Sequence, residues 1–184
     1  MKNIDHELLQ VAKEGNLDKV IELINLGANG NVVDKEGRTP LHLASEYGHI
    51  KVVSYLLKVV PETIKVKDKY GWTPLYLASL HNRKEIVSLL LKVATETVKE
   101  KDKYGWVPLH AVSYFGRTKI VFLLLTVAPD IVNVKNNDKK TPLHKAAEDN
   151  KSKTIQTFFA SISIKLKTKK LKIREKYIEK KYIF

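Results

Sequence analysis

The chain has 184 residues, 43% of them hydrophobic, with 8 glycines and 6 prolines, which is the composition of a folded protein rather than a disordered one. It contains no cysteine, which excludes disulfides and thiolate chemistry and suits a reducing, intracellular compartment. The formal net charge is +13, and the N-terminus turns polar at once, so we expect no signal peptide. The longest apolar run, residues 120–128, is too short to span a bilayer.

A short motif of the type Thr-Pro-Leu-His recurs along the chain, at positions 39, 73, 107 and 141, which are 34 residues apart. Its threonine can cap a helix through the hydroxyl, its proline fits the first helical position, and its leucine begins a buried face. Four occurrences at one spacing identify an internal repeat.

The motif and its period resemble the ankyrin repeat family over roughly residues 5–160. The resemblance implies an all-α solenoid of about five units, in which helix-turn-helix pairs are joined by β-hairpin loops and both terminal units are degraded into caps. We therefore predict one repeat domain over residues 1–164, followed by a basic tail over residues 165–184 that could form a capping helix. The predicted units are 5–38, 39–72, 73–106, 107–140 and 141–164.

The first unit lacks the Thr-Pro-Leu-His motif, as expected for a terminal unit whose outer face meets water. In the second unit the apolar spacing predicts helices over 40–47 and 50–58. One additional residue behind the second helix predicts a loop insertion, with Ile64 and Val66 packing inward.

The later units depart from the repeat pattern at specific positions. Val107 removes the hydroxyl cap of the fourth unit. Asn82 follows the first helix of the third unit where the pattern has glycine, so we expect that turn to be less regular. Lys139 replaces the glycine of the hairpin tip, and it must either adopt a left-handed conformation or change the turn.

Repeated polar residues invite a catalytic or metal-binding interpretation, which the repeat itself disfavours. Equivalent side chains lie about 10 Å apart in successive units, whereas metal ligands lie about 2 Å from one ion. The resemblance implies that the repeated histidines bond neighbouring backbone and threonine hydroxyls, and the repeated aspartates suit bonds to the amides of their own turns. We predict no metal, no cofactor and no enzymatic activity. These residues are His42, His110 and His144, and Asp34, Asp68 and Asp102.

The resemblance further implies that residues around the tip and at the end of each first helix point into a concave groove. In the two middle units these positions are aromatic, whereas the flanking units carry charges, which suits a protein interface. Trp72 and Trp106 could instead pack along neighbouring hairpins. The predicted partner-binding residues are Arg38, Tyr47, Tyr70, Trp72, His81, Tyr104, Trp106, Tyr114 and Phe115.

We therefore expect a monomeric protein-binding module with an unidentified protein partner. The short array and abundant Lys, Ile and Asn resemble ankyrin proteins of obligate intracellular bacteria, which suggests a host-directed effector. The alternative is binding of nucleic acid or an anionic membrane by residues 165–184, which carry nine Lys or Arg against Glu175 and Glu179. The apolar side of that tail could also cover the last repeat, with Phe158 and Phe159 beneath it.

Overall fold

The computed structural model describes residues 3–148, 150–161 and 163. Within this part of the chain the helices form five consecutive pairs, as the predicted solenoid requires, and no β-strand is present. The first helices of successive pairs contact one another in one layer, and the second helices of the first four pairs contact one another in a second layer. The helices are α1 (Asn3–Glu14), α2 (Leu17–Asn25), α3 (Pro40–Tyr47), α4 (Ile50–Val59), α5 (Pro74–Leu80), α6 (Lys84–Val93), α7 (Pro108–Tyr114), α8 (Thr118–Val127), α9 (Pro142–Glu148) and α10 (152–161).

The helix starts follow from the repeated motif. The Thr39 hydroxyl accepts from the backbone amide of His42 at 3.4 Å, and Nδ1 of His42 accepts from the amide of Thr39 at 3.2 Å. Two amides that a helix start would leave unpaired are thereby satisfied. Val107 cannot supply the first of these bonds, but Nδ1 of His110 still accepts from the amide of Val107 at 3.2 Å. The predicted loss of the hydroxyl cap is thus confirmed, and half of the capping arrangement remains.

The core lies between the two helical layers. In α4 the side chains with helical spacing, Val52, Val53, Leu56 and Leu57, are all buried. The additional residue behind this helix is taken up by a 3-10 helix, Pro61–Lys65, in which Ile64 is buried, as predicted. Val66, just after it, is half-buried. The same short helix recurs in the next two units as Thr95–Lys99 and Pro129–Asn133.

Each first helix is followed, within two residues of its end, by a residue with positive φ. Gly48 has φ 97° and Gly116 has φ 69°, and Asn82 takes the same left-handed conformation with φ 60°. The expectation of a less regular turn at Asn82 is therefore wrong, because asparagine tolerates the left-handed region well enough to keep the turn.

The hairpin tips, residues 34–38, 68–72, 102–106 and 136–140, close through bonds such as that from the Asp68 amide to the Trp72 carbonyl at 2.9 Å. Lys139 adopts φ 62° and so keeps the turn, which was the first of the two alternatives. The structure also explains why lysine is tolerated there. A Cβ built on Gly71 would lie 3.0 Å from Cα of Asp102 in the next tip, whereas no further tip follows Lys139 in the described part of the chain.

At the C-terminal end of the described chain, α10 buries Phe158 completely and leaves Phe159 60% exposed. Residues 165–184, for which the sequence predicts a capping role, lie outside the described residues. None of the helices within the described ranges is both long and apolar enough to cross a membrane.

Candidate functional site

The tips of successive units are held in register by two sets of hydrogen bonds. Oδ1 of Asp68 accepts from the amides of Tyr70 and Trp72 at 2.8 and 2.9 Å, and the other two repeated aspartates make the same pair of bonds. The predicted turn-forming role of these aspartates is confirmed. The amide of Lys103 then donates to the carbonyl of Tyr70 in the preceding tip at 3.0 Å, and equivalent bonds join the other neighbouring tips. Equivalent side chains consequently form rows across the units.

One such set of rows creates a groove of about 400 Å³ at the junction of the third and fourth units. We call it the aromatic groove. Five of the nine predicted binding residues meet there, namely Trp72, Tyr104, Trp106, Tyr114 and Phe115. The groove is lined by those five residues together with Tyr76, Leu80, Asp102, Ala111 and Asp138.

Trp72 forms one wall of the aromatic groove and is fixed on two sides. Its ring stacks on Tyr76 with centroids 5.4 Å apart and an interplanar angle of 7°. Its indole Nε1 donates to Oδ2 of Asp102 at 3.2 Å, and the Tyr76 hydroxyl donates to the same oxygen at 3.1 Å. Burial and the Asp102 charge raise the pKa of Tyr76, so its hydroxyl stays protonated and remains a donor. Trp72 therefore has the packing role along the neighbouring hairpin that the sequence left open.

Trp106 has different surroundings. Its ring meets the edge of Tyr114 at 6.1 Å, and Tyr114 in turn contacts Phe115 at 5.1 Å with the rings nearly perpendicular. The ammonium of Lys145 lies 5.1 Å from the Trp106 ring centroid. Tyr104 is 65% exposed and Phe115 is 46% exposed, so much of this wall is open to solvent.

Two of the other predicted binding residues, Arg38 and His81, have polar partners within the protein. Arg38 pairs with Asp34 and with Glu46, each at 2.9 Å. Burial opposes its charge, but the hydrogen bond and charge of Asp34, followed by Glu46, still raise its pKa. Nδ1 of His81 donates to the Leu77 carbonyl at 3.1 Å.

The remaining two predicted residues, Tyr47 and Tyr70, are exposed aromatic residues that do not line the aromatic groove. Tyr47 lies under the ammonium of Lys13, which is 5.3 Å from its ring centroid, and Tyr70 contacts the ring of Trp72 at 5.1 Å. Arg38 lines a second, more polar groove of about 550 Å³ between the first two units.

Sequence reasoning missed Tyr76 and Asp102 as parts of the groove. Tyr76 stands where the other units have histidine, and Trp72 precedes it by four residues. An aromatic pair at this spacing was the available signal for a stacked wall. The sequence assigned Asp102 only to its own turn. Its second carboxylate oxygen bonds residues that are 26 and 30 positions away, and partners at such a distance leave no local signal in the sequence.

The repeated histidines are occupied by structural bonds. His42 contacts the Thr39 hydroxyl through Nδ1 at 2.8 Å and donates from Nε2 to the Trp72 carbonyl at 3.1 Å. His110 likewise donates from Nε2 to the Lys140 carbonyl at 3.0 Å. His144 contacts the Thr141 hydroxyl at 2.6 Å. The implied bonding is thus confirmed in full for His42, for the neighbouring backbone at His110 and for the threonine hydroxyl at His144. Over residues 3–148, 150–161 and 163, no group of three or more His, Asp or Glu side chains could hold a metal ion.

Comparison with known proteins gives a consistent result. A family model for ankyrin repeats, in three copies, matches residues 8–102 and again 92–169. An ankyrin repeat protein of fowlpox virus is 43% identical over 47 residues, which cover 26% of this chain and 33% of that protein.

Two further relatives match over segments of similar length. An ankyrin repeat-containing protein of Saccharomyces cerevisiae is 46% identical over 57 residues, 31% of this chain and 11% of that protein. Cyclin-dependent kinase inhibitor 2A of Monodelphis domestica is 49% identical over 49 residues, 27% of this chain and 29% of that protein. The matched segments thus cover a third or less of each of these three relatives.

Proposed function

This chain belongs to the ankyrin-repeat family, and on that premise we propose that it is a non-enzymatic module that binds a protein partner in its aromatic groove. Ankyrin repeats are generally protein–protein interaction modules. The observation that carries the proposal for this chain is the cluster of partly exposed aromatic side chains at the junction of its two middle units.

Exposed aromatic rings in one cluster are the feature that most favours an interface. Tyr104, Tyr114 and Phe115 are 65%, 36% and 46% exposed, although each would be stabilised by burial. Single exposed hydrophobic residues need no explanation, but a contiguous apolar patch favours a binding role. Aromatic side chains also dominate the energy of protein interfaces when a partner covers them.

The scaffold around the groove supports binding without large rearrangement. The bonds between neighbouring tips and the double anchoring of Trp72 fix the groove walls before a partner arrives. A preformed surface loses less conformational entropy on binding than a mobile one, which leaves more of the contact energy for affinity.

Several further properties belong to the same proposal. Ankyrin repeat proteins are typically non-enzymatic, and the groove carboxylate Asp102 already accepts four hydrogen bonds. We propose a monomer that works in a reducing intracellular compartment, supported by the lack of cysteine.

A role as a host-directed effector remains a prediction of the sequence. So does binding of nucleic acid or anionic membranes by residues 165–184, which should weaken steeply with ionic strength, unlike an aromatic interface.

The test is affinity capture from the native cell with matched variants. We expect a triple variant, Tyr104→Ser, Tyr114→Ser and Phe115→Ser, to lose the partner that the unmodified chain retains. Phe122→Ser is the control, because Phe122 is 47% exposed on α8 and does not line the groove. Circular dichroism verifies that both variants are folded. If the triple variant keeps the partner, or if Phe122→Ser alone loses it, the proposed site is wrong.

A further inference from the structure

We propose that the aromatic groove contains a cation-binding subsite that receives an arginine side chain of the protein partner. The inference rests on the proposed function, because it names the chemistry of the group that the same surface would bind. It follows from the ring faces, the carboxylates beside them and a cation that already lies on one of the rings.

The walls of the groove are suited to a cation with an apolar stem. The face of an aromatic ring carries negative potential, so a cation within about 6 Å of its centroid is attracted. Trp72, Tyr104, Trp106, Tyr114 and Phe115 all line the groove, and its volume of about 400 Å³ can hold one long side chain. The methylene groups of arginine would cover apolar surface while its guanidinium stacks on a ring.

Trp106 already holds a cation of this protein. The ammonium of Lys145 lies 5.1 Å from its ring centroid, although Lys145 is only 8% exposed. A buried ammonium needs compensation, which here comes from the ring and from Glu148 at 2.8 Å. Trp106, which lines the groove, is therefore placed where a cation is stabilised.

Two carboxylates supply the charge complementarity. Asp102 and Asp138 both line the groove. The bond that reaches Asp138 from Asn136 Nδ2 is long, at 3.4 Å, and carries no charge. The neighbouring ammonium of Lys140 is bonded to Glu148. That bond is the largest cause of the raised pKa of Lys140, and the charge of Asp138 is the smallest. The carboxylate of Asp138 is thus only weakly compensated by the protein itself.

Arginine fits this combination better than other side chains. Its planar guanidinium can stack on an indole or phenol ring and donate two parallel hydrogen bonds to a carboxylate. A glutamate in the same place would face Asp102 and Asp138 with like charge. The formal net charge of +13 acts against a cation at long range, but salt screens it over about 8 Å, so the groove carboxylates dominate at contact.

The chain offers a specific reporter for the test. It has two tryptophans, Trp72 and Trp106, and both line the groove. The full chain, labelled with nitrogen-15, is titrated with N-acetyl-arginine amide, and the two indole N–H resonances are followed by NMR. N-acetyl-citrulline amide has nearly the same shape without the charge and serves as the matched probe. We expect arginine to shift the indole resonances saturably and citrulline to bind at least about threefold more weakly.

Variants assign the effect to the groove carboxylate. Asp138→Asn should weaken arginine binding about threefold, as expected for a partly exposed ion pair. Glu36→Gln is the control, since Glu36 occupies the same position in the tip at residues 34–38 and lines the other groove. It should leave arginine binding unchanged.

Each other outcome overturns the inference. Equal binding of citrulline, an unaltered Asp138→Asn variant, absence of any indole shift, or preference for N-acetyl-glutamate amide would remove the cation subsite. These outcomes leave the proposed function standing, because that function is tested by partner capture with the aromatic triple variant. A triple variant that still captures the partner would instead refute the proposed function, whatever the arginine titration shows.

Discussion

The indole Nε1 of Trp72 donates a hydrogen bond to Oδ2 of Asp102 at 3.2 Å, so a side chain of the tip at residues 68–72 is bonded to the next tip, residues 102–106. In the following tip, residues 136–140, the residue equivalent to Asp102 is Asn136, whose side-chain oxygen accepts from the amide of Lys140 at 2.8 Å. The position that provides a carboxylate to Trp72 thus carries an amide in the tip that follows Trp106. The two tryptophans occupy one repeat position but differ in their contacts. Trp72 is hydrogen-bonded to the next tip, whereas Trp106 meets Tyr114 and the ammonium of Lys145.

The first prediction compares the stability effect of Trp72, which is bonded to the next tip, with that of Tyr104, an exposed residue of the aromatic groove. Trp72→Ala removes a stacked ring and leaves an oxygen of Asp102 short of one donor, so it should lower the free energy of unfolding by roughly 2 kcal/mol or more. Tyr104→Ala should change it by no more than about 0.5 kcal/mol, because Tyr104 is 65% exposed. Urea unfolding followed by circular dichroism measures both. Equal losses would show that the contacts of Trp72 do not join the units.

The second prediction concerns the seam between the units. Leu75 is fully buried at the start of α5, as the repeat motif predicts. Leu75→Ala should cost about 2–5 kcal/mol through lost burial and the cavity it leaves. Since repeats are stabilised by their neighbours, the loss could also separate the unfolding of the two halves of the array. Leu26→Ala is the control, because Leu26 is 63% exposed and should change stability little. A melting curve unaltered by Leu75→Ala would contradict the packing.

The contrast between Leu75 and Trp72 shows which features the sequence could predict. Helix starts, buried leucines and tip aspartates recur within each unit, so they follow from local spacing and hydrogen-bond chemistry. The clustering of Tyr104, Trp106, Tyr114 and Phe115 also follows, because equivalent positions align in rows. The bonds from Trp72 and Tyr76 to Asp102 could not be predicted, since they depend on the distance and twist between adjacent units, which no local pattern encodes. Lys139 left two conformations open, and the decision between them depends on the neighbouring tips, of which only the preceding one lies in the described part of the chain.

The third prediction is a pH dependence caused by His42. Burial lowers the pKa of His42 to about 4, although its bonds to backbone carbonyls act in the opposite direction. In the unfolded chain the imidazole titrates near 6.5, so the folded state prefers the neutral form more strongly than the unfolded state does. This contribution to stability is complete above pH 6.5 and is lost as the pH falls towards 4. Between pH 7 and pH 5 the loss should be roughly 2 kcal/mol.

A variant isolates His42 from the other titrating groups. His42→Gln should be less stable than the unmodified chain at pH 7, because the variant lacks the imidazole Nε2 that bonds the Trp72 carbonyl. Its unfolding free energy should, however, decrease less between pH 7 and pH 5. The pKa of His110 is also lowered by burial, so a smaller pH dependence should remain. If the variant and the unmodified chain have the same slope against pH, His42 is not the source.

The fourth prediction tests the close approach of neighbouring tips. Gly71 has φ 84°, and an added Cβ would lie 3.0 Å from Cα of Asp102. Gly27 has φ 85°, but no atom lies within 4 Å of the same added Cβ. Gly27→Ala should therefore cost only the left-handed conformation, about 1 kcal/mol, whereas Gly71→Ala should cost clearly more. Thermal unfolding of the two variants measures the difference. Equal costs would show that the tips have room for a side chain.

The fifth prediction restores a missing helix cap. Val107 precedes α7 where Thr39 and Thr73 each accept a hydrogen bond from an amide of the first helical turn. Val107→Thr exchanges a methyl group for a hydroxyl of similar size at a fully buried position, and the geometry at Thr39 indicates that this hydroxyl finds the amide and imidazole of His110. The amide of His110 already donates to the carbonyl of Val107 at 2.9 Å. The added hydroxyl should nevertheless raise the free energy of unfolding by about 0.5–1 kcal/mol, because it gives this amide a side-chain acceptor and gives the imidazole a partner. Thr73→Val is the reciprocal control and should lower it by a similar amount. Urea denaturation at neutral pH gives both values, and a destabilised Val107→Thr variant would mean that the buried hydroxyl is not satisfied there.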